Sequence, residues 1–446
     1  MPGLFVGVIS SWWPTLAVGV EPALGGRLGW LDWLVVAGYL GLVSVLGVWL
    51  AGRPTGVNAF FRGAGAGAEA VQPDGEPSED GEPTPESGTK ASGGGGGLPW
   101  WAVAGSIMAT IISAVTFVTV PSRAFREGGD FTYLQLGLIA GLLSRGFVAF
   151  VLVPAYFRHR VVSPYDYMAL RLGESARSVT TACFTLMGVL GQSARVYLTA
   201  AVLELVLYGS LTSLEATTGV SPIAASLILV GVVAVAWTVV GGMATVVWTD
   251  AMLFVVFVVG GVVAIGVVAV ELPGGLGQVF GDGWEAGKFK VFELEMDAAL
   301  SLTNPFTPLA AFVAVTLGNI GVYGTDQLVA QRIFCCRSRG DAQKAVMMSY
   351  AAEAVAALML LVGVGLWVFY RAFPERLAGR AGEQVAANPD DVFPVFILTQ
   401  VPAGLSGLIV AGIFAAAVSS LTSILAALSQ TTLSAVVLPW AARRRG

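Results

Sequence analysis

Apolar residues run along this chain in nearly unbroken stretches of about twenty, the length at which a helix crosses a hydrocarbon layer of about 30 Å. They lie at 30–50, 98–122, 131–156, 177–208, 222–241, 245–270, 305–333, 345–370 and 404–438, and predict nine helical spans. A membrane barrel would instead show many short segments of alternating polarity. The pattern therefore predicts an all-α polytopic membrane protein. Residues 3–20 are also apolar, with Trp12 and Trp13, but no basic residue precedes them. An interfacial N-terminal segment fits them as well as a signal peptide does.

The pattern stops at 63–97, where GAGAGAEAVQPDGEPSEDGEPTPESGTKASGGGGG offers Gly, Pro, Ser and acid and nothing to build a core. Such a stretch predicts a disordered linker. Loop charges set the orientation. Arg158, Arg160, Arg171 and Arg177 follow the third span, Arg332, Arg337, Arg339 and Lys344 follow the seventh, and Arg443, Arg444 and Arg445 follow the last. Positive charge marks the cytoplasmic side, so the N-terminus is expected outside the cell membrane and the C-terminus inside. The expected organisation is an extracytoplasmic or interfacial segment 1–29, a leading helix 30–50, a cytoplasmic linker 51–97, five spans over 98–270, an extracytoplasmic loop 271–303 and three spans over 304–446.

Three of the spans carry polar threads. In LPWWAVAGSIMATIISAVTFVTVPS (98–122), Ser106, Ala109, Thr110 and Ser113 recur at helical spacing, Thr116 and Thr119 continue the line, and Pro121 closes it. Irregular backbone at membrane depth is tolerated only where it is buried or lines a cavity, which makes this span a site candidate. Span 305–333 reads TLGNIGVYGTDQ at its middle, where Gly318, Gly321 and Gly324 weaken the helix around Asn319, Tyr323, Asp326 and Gln327. Interrupted helices in matching positions of two halves mark inverted-repeat transporters. In the last span, AGIFAAAVSSLTSILAALS sets Ala416, Ser419, Ser420 and Ser423 on one stripe with Thr422 beside them. Hydroxyls, with carbonyls freed at a helix break, suit a hard monovalent cation such as sodium. The same stripes serve close helix packing equally well.

Composition and charge narrow the chemistry. With 55% hydrophobic and 12% charged residues, mean hydropathy +0.76 and a net charge of −5 spread over loops, nothing points to nucleic acid. Cys183, Cys335 and Cys336 lack metal-ligand spacing, and the single His159 sits in the basic loop FRHR. No paired acids or Ser/His arrangement suggests an enzyme. Asp250, in WTDAMLFVVF, and Arg195, in GQSARVYLTA, are the charges read as lying at or within spans. Intramembrane charges mark transport pathways by default. Asp250 also fits a helix N-cap beside Thr249. Arg195 fits a receptor for an anionic solute, a partner for Glu204, or a snorkelling side chain.

Four strings resemble a known family. WTVVGGMATVVWTDAMLFVVFVVGG (237–261) looks like the signature of the sodium:solute symporters, and LPWWAVAGSIMATIISAVTFVTVPSRAF resembles their first core helix. YGTDQLVAQR (323–332) resembles the sixth and FAAAVSSLTSI (414–424) the eighth, in the family's order. The resemblance implies a five-plus-five inverted repeat with one extra N-terminal helix and an incomplete second repeat. It implies sodium-coupled import, by alternating access, of a small organic solute. Carried over by position, a sodium ion is held by the backbone carbonyls of Ala109, Ile112 and Ala416 and the hydroxyls of Ser419 and Ser420. A second sodium site falls on Asp250, Thr422 and Ser423.

Where sugar-binding members carry a Glu–Gln pair this chain has Val115 and Thr116, and the gating tyrosine position reads Val322 with Tyr323 adjacent. The solute thus stays open between an organic anion such as a monocarboxylate and a sugar, the anion slightly ahead. Ser113, Thr116, Asn319, Tyr323, Gln327 and Arg195 are the positions expected to face it. The helices that family members add after the eighth leave room for a second chain supplying them. They leave room equally for a non-transporting sensor or anchoring module, or an inactive remnant of the family.

Overall fold

A computed structural model of the chain describes residues 28–51, 97–112, 114–293 and 307–433, with positions 437 and 444. Most of the expected N-terminal segment and linker, and Ser113, lie outside the described residues. Those described fold almost wholly into helices. They are α1 (Trp30–Ala51), α2 (Trp100–Ile111), α3 (Ala114–Phe125), α4 (Tyr133–Arg158), α5 (Pro164–Leu172) and α6 (Glu174–Thr218). There follow α7 (Pro222–Val239), α8 (Gly242–Glu271), α9 (Gly275–Glu285), α10 (Pro308–Thr325), α11 (Gln327–Ile333) and α12 (Arg339–Ala372). The last are α13 (Arg380–Ala387), α14 (Val392–Thr399) and α15 (Leu405–Thr432). Among the described residues seven helices are long and apolar enough to cross a bilayer, and the bent pair α2–α3 makes eight. The ninth expected span, 177–208, lies inside the 45-residue α6.

Two elements that the pattern treats as single spans are each divided. Helices α2 and α3 meet at 64°, because Ile112 turns to extended backbone (φ −74°, ψ 122°). Asp326 does the same between α10 and α11 (φ −73°, ψ 126°), and its carboxylate then caps α11 by accepting from Leu328 N–H at 2.8 Å. The helix ahead of it is already loosened by π-type turns at Ala311–Val315 and Gly321–Thr325. Between α7 and α8 the chain turns at Gly242, whose φ of +60° suits glycine.

Helices α8 and α15 cross at the centre, α2 packs on α8, α1 lies against both α8 and α15, and α3 packs on α12. The last contact is backbone to backbone: a Cβ on Gly363 would fall 2.1 Å from the carbonyl oxygen of Pro121. Phe117 joins the layers, edge-on to Phe257 at 4.7 Å and tilted against Phe393 at 4.8 Å.

Helix α1 is fastened by one buried carboxylate. Asp32 Oδ1 accepts from Gly404 N–H (2.7 Å), Ser406 Oγ–H (2.7 Å) and Gly407 N–H (2.9 Å) at the start of α15, while Oδ2 takes Gly29 N–H (2.8 Å). An anion belongs at a helix N-terminus, where the N–H groups lack helical partners.

The far end of α3 is held by ionic contacts. Lys288 Nζ donates to the carbonyls of Ala124 (2.8 Å), Arg126 (3.0 Å) and Gly129 (3.3 Å). Asp390 accepts from Ser122 (2.5 Å), Thr119 (3.1 Å) and Arg126 (2.9 Å). Beside it, burial pushes the Asp391 carboxyl up to about 6, with Asp390 adding to the effect and hydrogen bonds from Gln384 and Asn388 opposing it.

Candidate functional site

A helix that ends inside a protein leaves the carbonyls of its last turn without helical partners, and in hydrocarbon such groups must be met by something else. At the end of α2 that partner is Arg195. Its Nη1 donates to Thr110 O (3.5 Å) and its Nη2 to Ile111 O (3.2 Å). The flanking residues of the same turn, Ala109 and Ile112, line a cavity of about 10 Å³ shared with Leu253, Phe254, Phe257, Ala416 and Ser419. That volume is about one water molecule or one small ion. Four of the five residues expected around a sodium ion thus border one space, and the fifth, Ser420, is buried next in sequence to Ser419. Sodium wants five or six oxygens, and the carbonyl and hydroxyl oxygens of this set are of the right kind.

Behind the cavity stands a buried polar network. Ser419 Oγ–H donates to Asp250 Oδ1 at 2.5 Å, and Ser106 Oγ–H to Oδ2 at 2.8 Å. Asp250 lies within α8, well past its first turn, so the N-cap alternative does not describe it. Arg332 Nη2 meets the same Oδ2 at 2.7 Å, with both side chains fully buried. Arg332 was expected in a cytoplasmic loop on the ground that it starts a basic run. The structure instead turns it inward on α11, where it also donates to Ser106 Oγ (2.8 Å), Ser423 Oγ (2.5 Å) and the carbonyl of Leu328. Thr422 and Ser423 give their own protons to Ser419 O at 2.9 and 2.6 Å.

The positions expected to face a solute are spread out. Thr116 on α3 and Asn319 on α10 are half-buried. Arg195 stands at the first break and is drawn electrostatically to Asp326 at the second. Gln327 points the other way: its Nε2 donates to Gln430 (2.9 Å) and its Oε1 accepts from Ser163 (3.0 Å), tying α11 to α15 and the start of α5.

Tyr323 belongs to a second buried network that sequence reasoning missed. Arg145 lies 4.1 Å over the Tyr323 ring and donates to its hydroxyl (2.5 Å), to Ser349 Oγ (3.1 Å) and to Glu353 Oε1 (3.4 Å). Gly137 and Gly141 on α4 make room, since a Cβ on Gly137 would fall 1.8 Å from Glu353 Oε2. The signal was present: Arg145 and Glu353 are opposite charges set in two otherwise apolar stretches.

A broken helix facing a serine-lined helix across an ion-sized cavity, with a second broken helix packed against both, is the build of a helical membrane transporter. The sodium:solute symporter family model matches residues 93–436, and the chain belongs to that family. It is 24% identical over 402 residues to the sodium/sialic acid symporter SiaT of Proteus mirabilis, covering 90% of this chain and 70% of that protein. It is 29% identical over 339 residues to the sodium-dependent multivitamin transporter of Oryctolagus cuniculus, covering 76% of this chain and 50% of the relative. The fold matches that of a Na+-coupled sialic acid symporter, solved substrate-bound and outward-open, with a TM-score of 0.70 at 22% identity over 92% of this chain and 75% of that one. Membership makes this a multi-pass membrane protein among sodium-coupled relatives.

Proposed function

We propose that this protein is a sodium-coupled symporter that imports a small organic solute, an organic anion ahead of a sugar, by alternating access. Its N-terminus then faces outward and its C-terminus the cytoplasm. The observation that carries this reading is the small cavity where α2 breaks, bounded by Ala109, Ile112, Ala416 and Ser419. A sodium ion there takes the carbonyls of Ala109, Ile112 and Ala416 and the hydroxyls of Ser419 and Ser420. Neutral oxygens hold the ion without a carboxylate in its shell, so it is not trapped. Because its ligands come from both α2 and α15, binding favours the arrangement in which those helices meet. Solute then binds near the two breaks, at Thr116 on one side and Asn319 on the other, while Tyr323 and Gln327 hold Arg145 and Gln430 instead. Arg195 supplies the positive charge for a carboxylate, and the sialic acid named for one relative supports an acid as solute.

One inward charge at about 100 mV contributes about 2.3 kcal/mol, and a tenfold sodium gradient about 1.4 kcal/mol more. With a neutral solute one ion therefore supports roughly 10²- to 10³-fold accumulation; with a monoanion the two charges cancel, the potential drops out, and the sodium gradient alone supports about tenfold. The test is uptake by proteoliposomes of the full chain, with an inward sodium or choline gradient, over a panel of monocarboxylates, sialic acids, sugars and amino acids. Sodium-dependent uptake of at least one acid is expected. Uptake that is the same in choline, or absent across the panel, favours a sensor or anchoring module instead.

A further inference from the structure

We infer that Arg332 is a built-in cation occupying the place of a second sodium ion at Asp250, so that the protein binds one sodium ion and not two. This rests on the sodium-symport reading and adds the ion count to it. Of the residues expected to hold the second ion, Asp250 and Ser423 are both direct partners of the Arg332 guanidinium, at 2.7 and 2.5 Å. The carboxylate is already engaged through both oxygens: Oδ1 takes the Ser419 proton and Oδ2 takes protons from Ser106 and Arg332. Ser423 accepts from Arg332 while donating to Ser419 O. A sodium ion at the same oxygens would stand within a few ångströms of a like charge in a medium that screens weakly. A carboxylate buried here without either cation would be left uncompensated. The guanidinium settles both problems.

The arrangement also bears on the remaining ion. By taking the Ser419 proton, Asp250 fixes the direction of that O–H and leaves the oxygen lone pairs for the cavity that Ser419 lines. Asp250 is then a positioning residue rather than a ligand.

The experiment is equilibrium binding of radioactive sodium to the purified full chain, counted per polypeptide against choline. The wild type is expected to bind one ion with a Hill slope of one, and Arg332→Lys to keep that count. Arg332→Gln, which exposes the carboxylate, is expected to bind two. Should that variant not fold, the wild-type count decides: one ion supports the inference and two overturn it. Two ions on the wild type, or one on a folded Arg332→Gln, overturns the inference and leaves the symport reading standing. No sodium on the wild type overturns the symport reading, and this inference with it.

Discussion

Arg195 and Ile111 are 84 positions apart in the chain, yet the guanidinium of one donates to the carbonyl of the other at 3.2 Å. The contact stabilises the broken end of α2 and so sets where Ala109 and Ile112 stand at the cavity. Arg195→Gln removes the charge and the reach, and leaves buried carbonyls unmet at about 1–3 kcal/mol. Thermal melting of the purified protein is expected to fall by several degrees. The sodium concentration for half-maximal binding is expected to rise roughly tenfold, about 1.4 kcal/mol. An unchanged sodium titration would separate Arg195 from the cavity.

Ser419→Ala deletes one proposed ligand and frees Asp250 Oδ1. Sodium activation of uptake, or sodium binding in detergent, is expected to weaken by an order of magnitude or more, about 1.4 kcal/mol. The same sodium dependence as wild type would move the ion elsewhere.

Gly363→Ala tests the contact between α12 and α3. Its methyl would stand 2.1 Å from Pro121 O, a backbone atom that cannot swing aside. Overpacking of this kind costs about 1–3 kcal/mol or more. A clear loss of melting temperature is expected, whereas Gly266→Ala, with nothing within 4 Å of the new carbon, should cost none.

Asp32→Asn replaces a carboxylate that takes four hydrogens, one of them from Gly29 N–H on Oδ2. An amide nitrogen facing Gly29 turns that bond into a donor–donor conflict. Hydrogen bonds to charged groups contribute about 1.5–3 kcal/mol, so a fall in melting temperature is expected, read by fluorescence on heating.

Asp391 gives a pH dependence. Its carboxyl is raised from 3.8 to about 6 in the folded protein, chiefly by burial. The folded state then holds this proton more tightly than the unfolded state. The contribution is complete below pH 3.8 and is lost as the pH rises to about 6. Asp391→Asn removes that loss. The variant should therefore gain melting temperature relative to wild type across this window and keep a constant advantage above it.

Sequence pattern marked the first span as irregular from its hydroxyls and Pro121, but the backbone departs at Ile112 and Pro121 lies inside α3. The second break falls at Asp326, one of the four positions around which three glycines were expected to weaken the helix. Gly324 has another task, admitting Leu152, whose Cδ1 would lie 2.4 Å from a Cβ there. A short acid that caps the next helix broke the span, and propensity alone does not distinguish that from a flexible loop. Ala416 and Ser419 were legible because helical spacing sets them on one stripe, while Ile112 came from the family resemblance. Arg332 was not legible, since a charge beside a basic run looks solvated until its helix is folded back onto α2 and α8. Asp250 was singled out, but its partner was 82 positions away.

The fastening of α1 has a mechanical corollary. With its first turn fixed to the first turn of α15 through Asp32, α1 cannot stay behind when α15 tilts without breaking three bonds at once. It therefore travels as a passenger of the serine-bearing helix. A spectroscopic ruler between Trp30 and Leu405 should read one constant distance in every conformer the protein visits.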